Sequence, residues 1–271
     1  MKNILCTLFC LLFVFCGSGL RENVNPDQKN EVYCKKIIIS ENGDETIYEF
    51  DATGRLISYL GLSLLEAYHK DEWSGVIGEV KLIFKKGYYL NQEYKTGDGN
   101  GWFIERNYLG PYIFSEGIHG YEGGREVTLT VIEYDWSGPV GVINATNKKW
   151  TSHIDGTVVD KGVSTIIYTD ILSPFKGQVF QALIEQGWTA GPHTNDHLAD
   201  RELYTVTSSD TDIRSTTKGT ITYNYSFTSG QLLSKIIITD RSEQQITFSS
   251  GDEQIIPDEK TKVVEFFYEC K

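Results

Sequence analysis

Stretches in which apolar or aromatic residues alternate with polar ones recur along this chain, and they restrict it to a protein built of paired strands. The clearest is Glu45 to Tyr59, ETIYEFDATGRLISY. Thr46, Tyr48 and Phe50 alternate with Ile47 and Glu49, the period of two that a pleated strand imposes. Asp51-Ala-Thr-Gly54 follows with turn chemistry. An Asp at the first turn position accepts from a backbone N–H two residues on, and a Gly at the fourth takes positive φ. Arg55 to Tyr59 then returns as the second strand of a hairpin. Ile221 to Phe227 repeats the pattern, with Ile221, Tyr223, Tyr225 and Phe227 on one face and Thr222, Asn224 and Ser226 on the other. Thr228-Ser-Gly230 turns that copy, and Gln231 to Ile238 returns. Ile132 to Gly138 carries a third Tyr-Asp-x-x-Gly phrase. The spacing is too irregular for a solenoid, so these copies read as successive hairpins of one meander.

The rest of the chain keeps the rhythm. Cys34 to Ser40 is a first strand, and Glu79 to Phe84 with Tyr88 to Tyr94 is a hairpin across Lys85-Lys-Gly87. Ser63-Leu-Leu-Glu66 has capping-box spacing, so Leu64 to Trp73 reads as a short helix or as continued strand and loop. Gly97 to Gly101 is a turn cluster, and Gly117 to Gly124, with four glycines, reads as a loop. Short strands are expected at Trp102 to Arg106, Tyr112 to Ser115, Val127 to Tyr134, Val140 to Ala145, Trp150 to Ile154 and Val163 to Tyr168. Tyr204 to Ser208, Gln245 to Phe248 and Lys262 to Glu269 continue the series.

One segment departs from it. Ser173 suits an N-cap, Pro174 the first helical position and Gly187 the position after the last turn. Phe175, Val179, Phe180, Leu183 and Ile184 form one stripe at helical spacing. A helix over Pro174 to Gln186 would cover a sheet face or plug an open end. The expected fold is therefore all-β: mainly an antiparallel meander, curved or forming a partly open barrel, with one short α-helix. A chain of 271 residues is long enough for one substantial core, and residues 34–271 read as a single β domain.

The N-terminus bears on compartment. Lys2 and the apolar run Ile4 to Phe15 have the form of an export signal, and the run is too short to span a bilayer. Cys16 follows at once, where a bacterial lipoprotein signal is cut and its Cys acylated. Phe15 stands where a small residue is usual, and ordinary secretion with cleavage after Ser18 or Gly19 is the alternative. Residues 1–15 are thus read as a signal peptide and 16–33 as a polar, lipid-anchored tether. Cys34 and Cys270 remain in the exported chain and are expected to be close and bonded, the alternative being two buried thiols. Pairing the first strand with the last would cover two exposed edges.

Further motifs carry a resemblance. Tyr168-Thr-Asp-Ile-Leu-Ser-Pro-Phe-Lys-Gly177 resembles a "YD…NPFKG/N" phrase in a group of uncharacterised Bacteroidetes-type lipoproteins of the DUF4595 kind. In that group the phrase precedes a short helix, an Asn-rich loop and Tyr-x-Tyr hairpins. Trp188 to Leu198, containing Asn195, stands in the place of that loop, and Ile221 to Ile238 in the place of the hairpins. Ser173 stands where Asn is usual. The resemblance implies an open antiparallel β-barrel on a lipid anchor and carries over no catalytic residues.

Candidate chemistry is sparse. His193 and His197, near Asp196 and Asp200, have metal-ligand spacing, but Gly191-Pro192 precedes them and the segment reads as a polar loop. Asp98-Gly-Asn100-Gly101 opens like a calcium loop and lacks its later ligands, so it reads as a turn. Trp73, Trp102, Trp136, Trp150 and Trp188 serve either as packing or as platforms for sugar rings. The net charge of −12 argues against binding a phosphate backbone. No metal, cofactor or nucleic acid is expected. An integral membrane barrel is disfavoured because Glu49, Lys81 and Glu265 lie on strand faces. The expected function is non-catalytic binding or scaffolding at a bacterial outer membrane, on its periplasmic or surface face, with an envelope protein or glycan as partner. The alternative is an envelope glycan hydrolase using a carboxylate pair.

Overall fold

The structure is a computed structural model that describes residues 34–85, 88–109, 112–138, 143–176, 181–185, 195–209 and 213–270. These form one antiparallel sheet of sixteen strands. The first five are β1 (Cys34–Glu41), β2 (Asp44–Phe50), β3 (Leu56–Tyr59), β4 (Leu62–Ser63) and β5 (Glu72–Ile77), with a 3-10 turn at Leu65–Tyr68 before β5. There follow β6 (Val80–Lys85), β7 (Tyr88–Lys95), β8 (Gly101–Leu109), β9 (Tyr112–Glu122), β10 (Arg125–Ser137) and β11 (Asn144–Ile154). The last are β12 (Thr157–Leu172), β13 (His197–Ser209), β14 (Ile213–Phe227), β15 (Leu233–Phe248) and β16 (Glu253–Cys270), with helix α1 (Gln181–Glu185) between β12 and β13.

Neighbours in sequence are neighbours in the sheet, and β16 pairs with β1. The two edges are β4 and β5, themselves consecutive in the chain. Leu62 of β4 lies against Gly75 of β5, where an added Cβ would come within 2.7 Å of its methyl groups. The sheet is therefore a nearly closed barrel whose seam is filled by side chains. Strand alternation sorts the turns between two ends. Cys34, Cys270, the Asp51–Arg55 turn, the 3-10 turn, α1 and the Thr228–Leu232 turn lie at one, termed the disulfide end. Asn42-Gly43, Gly78-Glu79, Thr96–Asn100, Gly123-Gly124, Asp155-Gly156 and Ser249–Asp252 lie at the other, the glycine end.

Local chemistry sets the turns. Asp51 Oδ1 accepts from the Thr53 amide at 2.9 Å and the Arg55 amide at 3.1 Å, while Asp51 N donates to Arg55 O at 2.9 Å. Gly54 has φ of 79°, the left-handed conformation this closure needs. Burial pulls the Asp51 carboxyl upward, but bonds from Thr53 and Arg55 outweigh it and hold it at about 2.

The two faces of β14 differ in polarity. On β14, Ser215, Thr217, Gly219, Ile221, Tyr223 and Tyr225 face the interior; Arg214, Thr216, Lys218, Thr220, Thr222, Asn224 and Ser226 face out. Glu49, Lys81 and Glu265 also face out. These charged residues share the outward face with exposed Val163, Ile167, Leu203 and Phe267, whereas the lipid belt of a membrane-spanning barrel is apolar. The main core lies toward the disulfide end, where Leu183 and Ile184 of α1, with Phe175, pack against Ile37, Tyr48, Leu56, Phe84, Ile236 and Val264. α1 acts as the plug. Each buried side chain of this size is worth about 1.5–3 kcal/mol.

Three expectations are revised. Gly117 to Gly124 is not a loop: β9 runs to Glu122, and Gly120 gives room to the Thr128 side chain, 2.3 Å from where a Cβ would stand. Glycine here serves close approach in a strand rather than a turn. Of the proposed helix, Pro174 to Lys176 is a turn and only Gln181–Glu185 is helical among the described residues. Leu183 is fully buried, as a plug requires, while Val179 and Phe180 lie outside the described residues. The 3-10 turn occupies only part of Leu64 to Trp73, and Glu72 and Trp73 already belong to β5.

Cys34 and Cys270 are joined in a disulfide, in register as the terminal pair of β1 and β16. Their sequence separation is 236, and the chain-entropy model assigns such a loop on the order of 5 kcal/mol. β16 also extends beyond β1: Glu253 to Val263 pair with β15 alone. Expected outcome: residues 17–271, denatured without reductant, take up no thiol label, and two labelled cysteines would show that the bond does not form.

Candidate functional site

The interior is the first place to look for chemistry, because its side chains converge. Lys148 Nζ meets Glu202 Oε1 at 2.7 Å, and Lys148 lies 5.3 Å above the Trp150 ring. Arg106 Nε donates to Glu116 Oε1 at 2.8 Å, and Tyr134 donates to Glu116 Oε2 at 2.6 Å. Tyr204 donates to Asp240 Oδ1 at 2.8 Å. Burial, then the neighbouring carboxylate of Glu116, pushes the Tyr134 phenol well up, so it stays a neutral donor. Each of these interior carboxylates is held by a cation or a phenol, and Glu116 and Glu202 are buried at 7% and 3% exposure. Glu116 and Glu202 bind the wall together, and Asp240 is half-buried.

Glu185 on α1 differs. It is buried at 1% exposure, accepts from the Ser173 hydroxyl and, at 3.1 Å, from Gln181 Nε2. Burial dominates those bonds, Asp196 adds repulsion, and the carboxyl is pushed up to about 8. Glu185 is thus largely protonated at neutral pH. Its raised value means its contribution to stability is complete below its ordinary value of 4.5 and is lost as pH rises through about 8.

The histidine loop is structural where described. His193 lies outside the described residues, and His197 Nδ1 is 3.1 Å from Asn144 Nδ2. Asp196 Oδ2 accepts from Ile143 N at 2.7 Å and meets Lys176 at 3.3 Å, while Asn195 Oδ1 accepts from Ala145 N at 2.8 Å. Asn195 and Asp196 satisfy amides at the entry to β11, and Asp200 is exposed beside Arg201. No group of three or more metal-ligating side chains occurs among the described residues. Asp98 is occupied within its own turn by Thr96 and by Asn100 Nδ2, the latter at 2.8 Å.

The tryptophans separate by role. Trp73 packs on Phe84 at 5.4 Å, Trp136 donates to Ile113 O at 2.9 Å, and Trp150 covers Gly162. Trp188 lies outside the described residues. Trp102 borders a cleft of about 290 Å³ near the glycine end. Cross-strand register explains the cleft. Lys95, Gly101 and Tyr121 form one row across β7, β8 and β9; Glu93, Phe103 and His119 form the next but one, on the same face. A depression lies between Lys95 and Tyr121, and Gly101 in the same row allows β7 to approach closely, since a Cβ there would stand 2.1 Å from the Tyr94 carbonyl oxygen. Its edge is fixed by two docked turns: Asn100 Oδ1 accepts from Gly123 N at 2.8 Å, and Gly124 N donates to Gly99 O at 2.9 Å.

Beside the cleft, His119 lies between Phe103, at 5.8 Å between ring centres, and Tyr121, at 6.5 Å. Its Nδ1 is 2.7 Å from Glu126 and its Nε2 is 3.7 Å from Glu105. Burial, then Glu126, Glu105 and Glu93, raises the Tyr121 phenol, which remains a donor. The cleft therefore offers an aromatic wall, a cation, a carboxylate and a phenol. Sequence reasoning reached Trp102 and missed the rest, because the row exists only once three strands are in register. A second groove holds Glu133 and Asp135, two residues apart on β10 and both exposed, with Lys149 3.4 Å from Asp135. Nothing there shields either carboxylate from water as a general acid requires.

No protein-family model matches the chain, and no curated protein matches it. Among solved structures it is similar to a porin-like protein from Bacteroides uniformis, at 16% identity and a TM-score of 0.43, over 88% of this chain and 99% of that one. The barrel assignment rests on this chain's own strand order.

Expected outcome: the melting temperature of the protein falls between pH 5 and 8, and Glu185→Gln flattens that fall and melts higher above pH 8. Identical pH profiles for the two would show that Glu185 is not the titrating group.

Proposed function

We propose that this chain is an exported, lipid-anchored protein of the bacterial outer membrane whose barrel binds a glycan at the cleft over Gly101 and performs no catalysis. The observation that carries the reading is the composition of that cleft. A sugar ring presents an apolar face and a rim of hydroxyls; Phe103 and Tyr121 suit the first, and Glu93, Lys95 and the Tyr121 phenol suit the second. The charged outward residues Glu49, Lys81, Lys218 and Glu265 support a barrel held in water rather than one inserted in lipid. The apolar run ending at Cys16 supports export and acylation, as does the resemblance to DUF4595 lipoproteins. The occupied interior carboxylates support binding over hydrolysis.

Two measurements test the reading. Screening residues 17–271 against envelope glycans should return a ligand whose affinity falls at least tenfold in Phe103→Ala and in Tyr121→Ala, about 1.4 kcal/mol or more. A ligand bound equally by both variants, or release of reducing ends from it, would reject the cleft or the non-catalytic role respectively. In the membrane fraction, intact-mass analysis should find a mature chain that begins at acylated Cys16. A chain starting at Gly19 or Leu20 without lipid mass would reject the anchor.

A further inference from the structure

We propose that the cleft over Gly101 selects a zwitterionic sugar, one whose ring carries an ammonium group on one side and an acidic substituent on the other. This deepens the glycan reading above and rests on it: Glu93 takes the ligand's cation and Lys95 its anion.

Three observations converge. The first is a pair of opposite charges without partners. Glu93 and Lys95 line the cleft and stand two positions apart on one face of β7, about 7 Å along the strand. Among the described residues neither takes part in an ion pair or a side-chain hydrogen bond. Lys81 stands opposite Glu93 on β6 without forming an ion pair with it, and the residue opposite Lys95 is Gly101. Asp98, beyond Lys95 in the turn, is held by Thr96 and Asn100. Elsewhere on the outer face opposite charges within reach of each other do meet: Lys235 with Glu265 at 3.5 Å, Lys149 with Asp135 at 3.4 Å and Arg241 with Glu259 at 3.1 Å. Glu93 is half-buried, so its uncompensated charge carries a desolvation cost that a cation entering the cleft offsets.

The second observation is the aromatic wall, which gives the site a direction. Phe103 stands beside Glu93 in one row, and Tyr121 stands across Gly101 from Lys95 in the other. The Tyr121 phenol has no hydrogen-bond partner among the described residues, and after burial the carboxylates of Glu126, Glu105 and Glu93 raise it. His119 occupies Glu126 at 2.7 Å and lies 3.7 Å from Glu105, which leaves Glu93 to a ligand. Aromatic faces backed by a carboxylate attract an ammonium group. The ligand's cation therefore belongs between Phe103, Tyr121 and Glu93, and its acid reaches Lys95 at the exposed side of the cleft.

The third is that the site is formed before a ligand arrives. Three strands in register and the two docked turns at the rim hold its charges and rings at a set spacing, so binding orders little of the protein. A neutral sugar leaves both charges unanswered. A sugar with an acid alone leaves Glu93 unpaired, and one with an amine alone leaves Lys95 unpaired. Discrimination comes from the charge that the wrong ligand fails to match.

The sheet, its core and its disulfide lie within residues 34–270, so residues 17–271 serve for the test. NMR titrations compare glucosamine 6-phosphate and muramic acid, which carry both charges, with their N-acetyl forms, which keep only the anion. Glucosamine, with only the cation, and N-acetylglucosamine, with neither, complete the set. At least one zwitterion should bind about fivefold tighter or more than its N-acetyl form and than the sugar lacking its acid. Whichever zwitterion leads identifies the acid as phosphate or carboxylate. Glu93→Gln should abolish the preference for the free amine and keep that for the acid, and Lys95→Met should do the reverse. Each variant is judged by the ratio of its own affinities, which a partial loss of folded protein does not change. Equal affinities for all these sugars, or preferences that survive both substitutions, would overturn the proposal; if Tyr121→Ala then weakens every sugar alike, the glycan reading stands without it. Binding of none of them overturns it too, and the envelope-glycan screen then judges the broader reading separately.

Discussion

Everything in this barrel depends on the pairing of its last strand with its first. Tyr268 opposite Ile37 and Phe266 opposite Ile39 complete a wall that the other hairpins only prepare. Without that pairing the sheet would carry two further edges, and the apolar faces of Ile37, Ile39, Val264 and Phe266 would lose the enclosure around α1. The other contacts in the sheet are mostly between successive strands, which form quickly because little loop entropy opposes them. The β1–β16 contact joins residues from opposite ends of the chain, so closure waits until the whole chain is present. Placing the disulfide at that joint puts the covalent constraint where the entropic cost is highest.

Closure creates the second constraint, an interior too wide to fill with aliphatic residues alone. The chain fills it with tyrosines whose phenols reach backbone carbonyls: Tyr168 to Ala145, Tyr225 to Ala199 and Tyr268 to Leu233, each at 2.7 Å. Ion pairs add to these, and glycines beneath Trp150 and Tyr204 let large rings lie flat along the wall. Burial raises the Tyr168 and Tyr225 phenols, so they remain donors at physiological pH. With the interior occupied in this way, although Ser164 Oγ is buried without a hydrogen-bond partner among the described residues, the outer wall and the two ends remain for function.

The parts of this fold that are legible in the sequence are local. The Asp51 turn could be read because all its hydrogen bonds lie within five residues, Asp51 to Arg55. The alternation of β14 could be read because one face is enclosed. The Pro174 helix was overextended because its N-terminal signals, Ser173 and Pro174, serve a turn: the Ser173 hydroxyl accepts from Phe175 N at 3.1 Å and donates to Glu185. The glycines of β9 read as a loop because composition alone does not distinguish a glycine that turns the chain from one that yields space to a neighbour. The cleft was out of reach for a different reason. Lys95, Gly101 and Tyr121 become one row only through register, and register is a property of three strands together.

The projecting half of β16 exposes one more consequence. From Glu253 to Val263 one backbone edge meets β15 and the other meets no strand among the described residues. Such an edge is a template for the strand of another molecule, and in a crowded compartment it invites filament growth. Pro257 sits in the middle of this stretch and removes a backbone donor, and Asp258, Glu259 and Lys260 follow it with opposed charges on adjacent positions. A strand arriving to extend the sheet meets a missing hydrogen bond and a desolvation penalty at the same point. The barrel thus carries its own terminator, and one long free edge does not propagate into an aggregate.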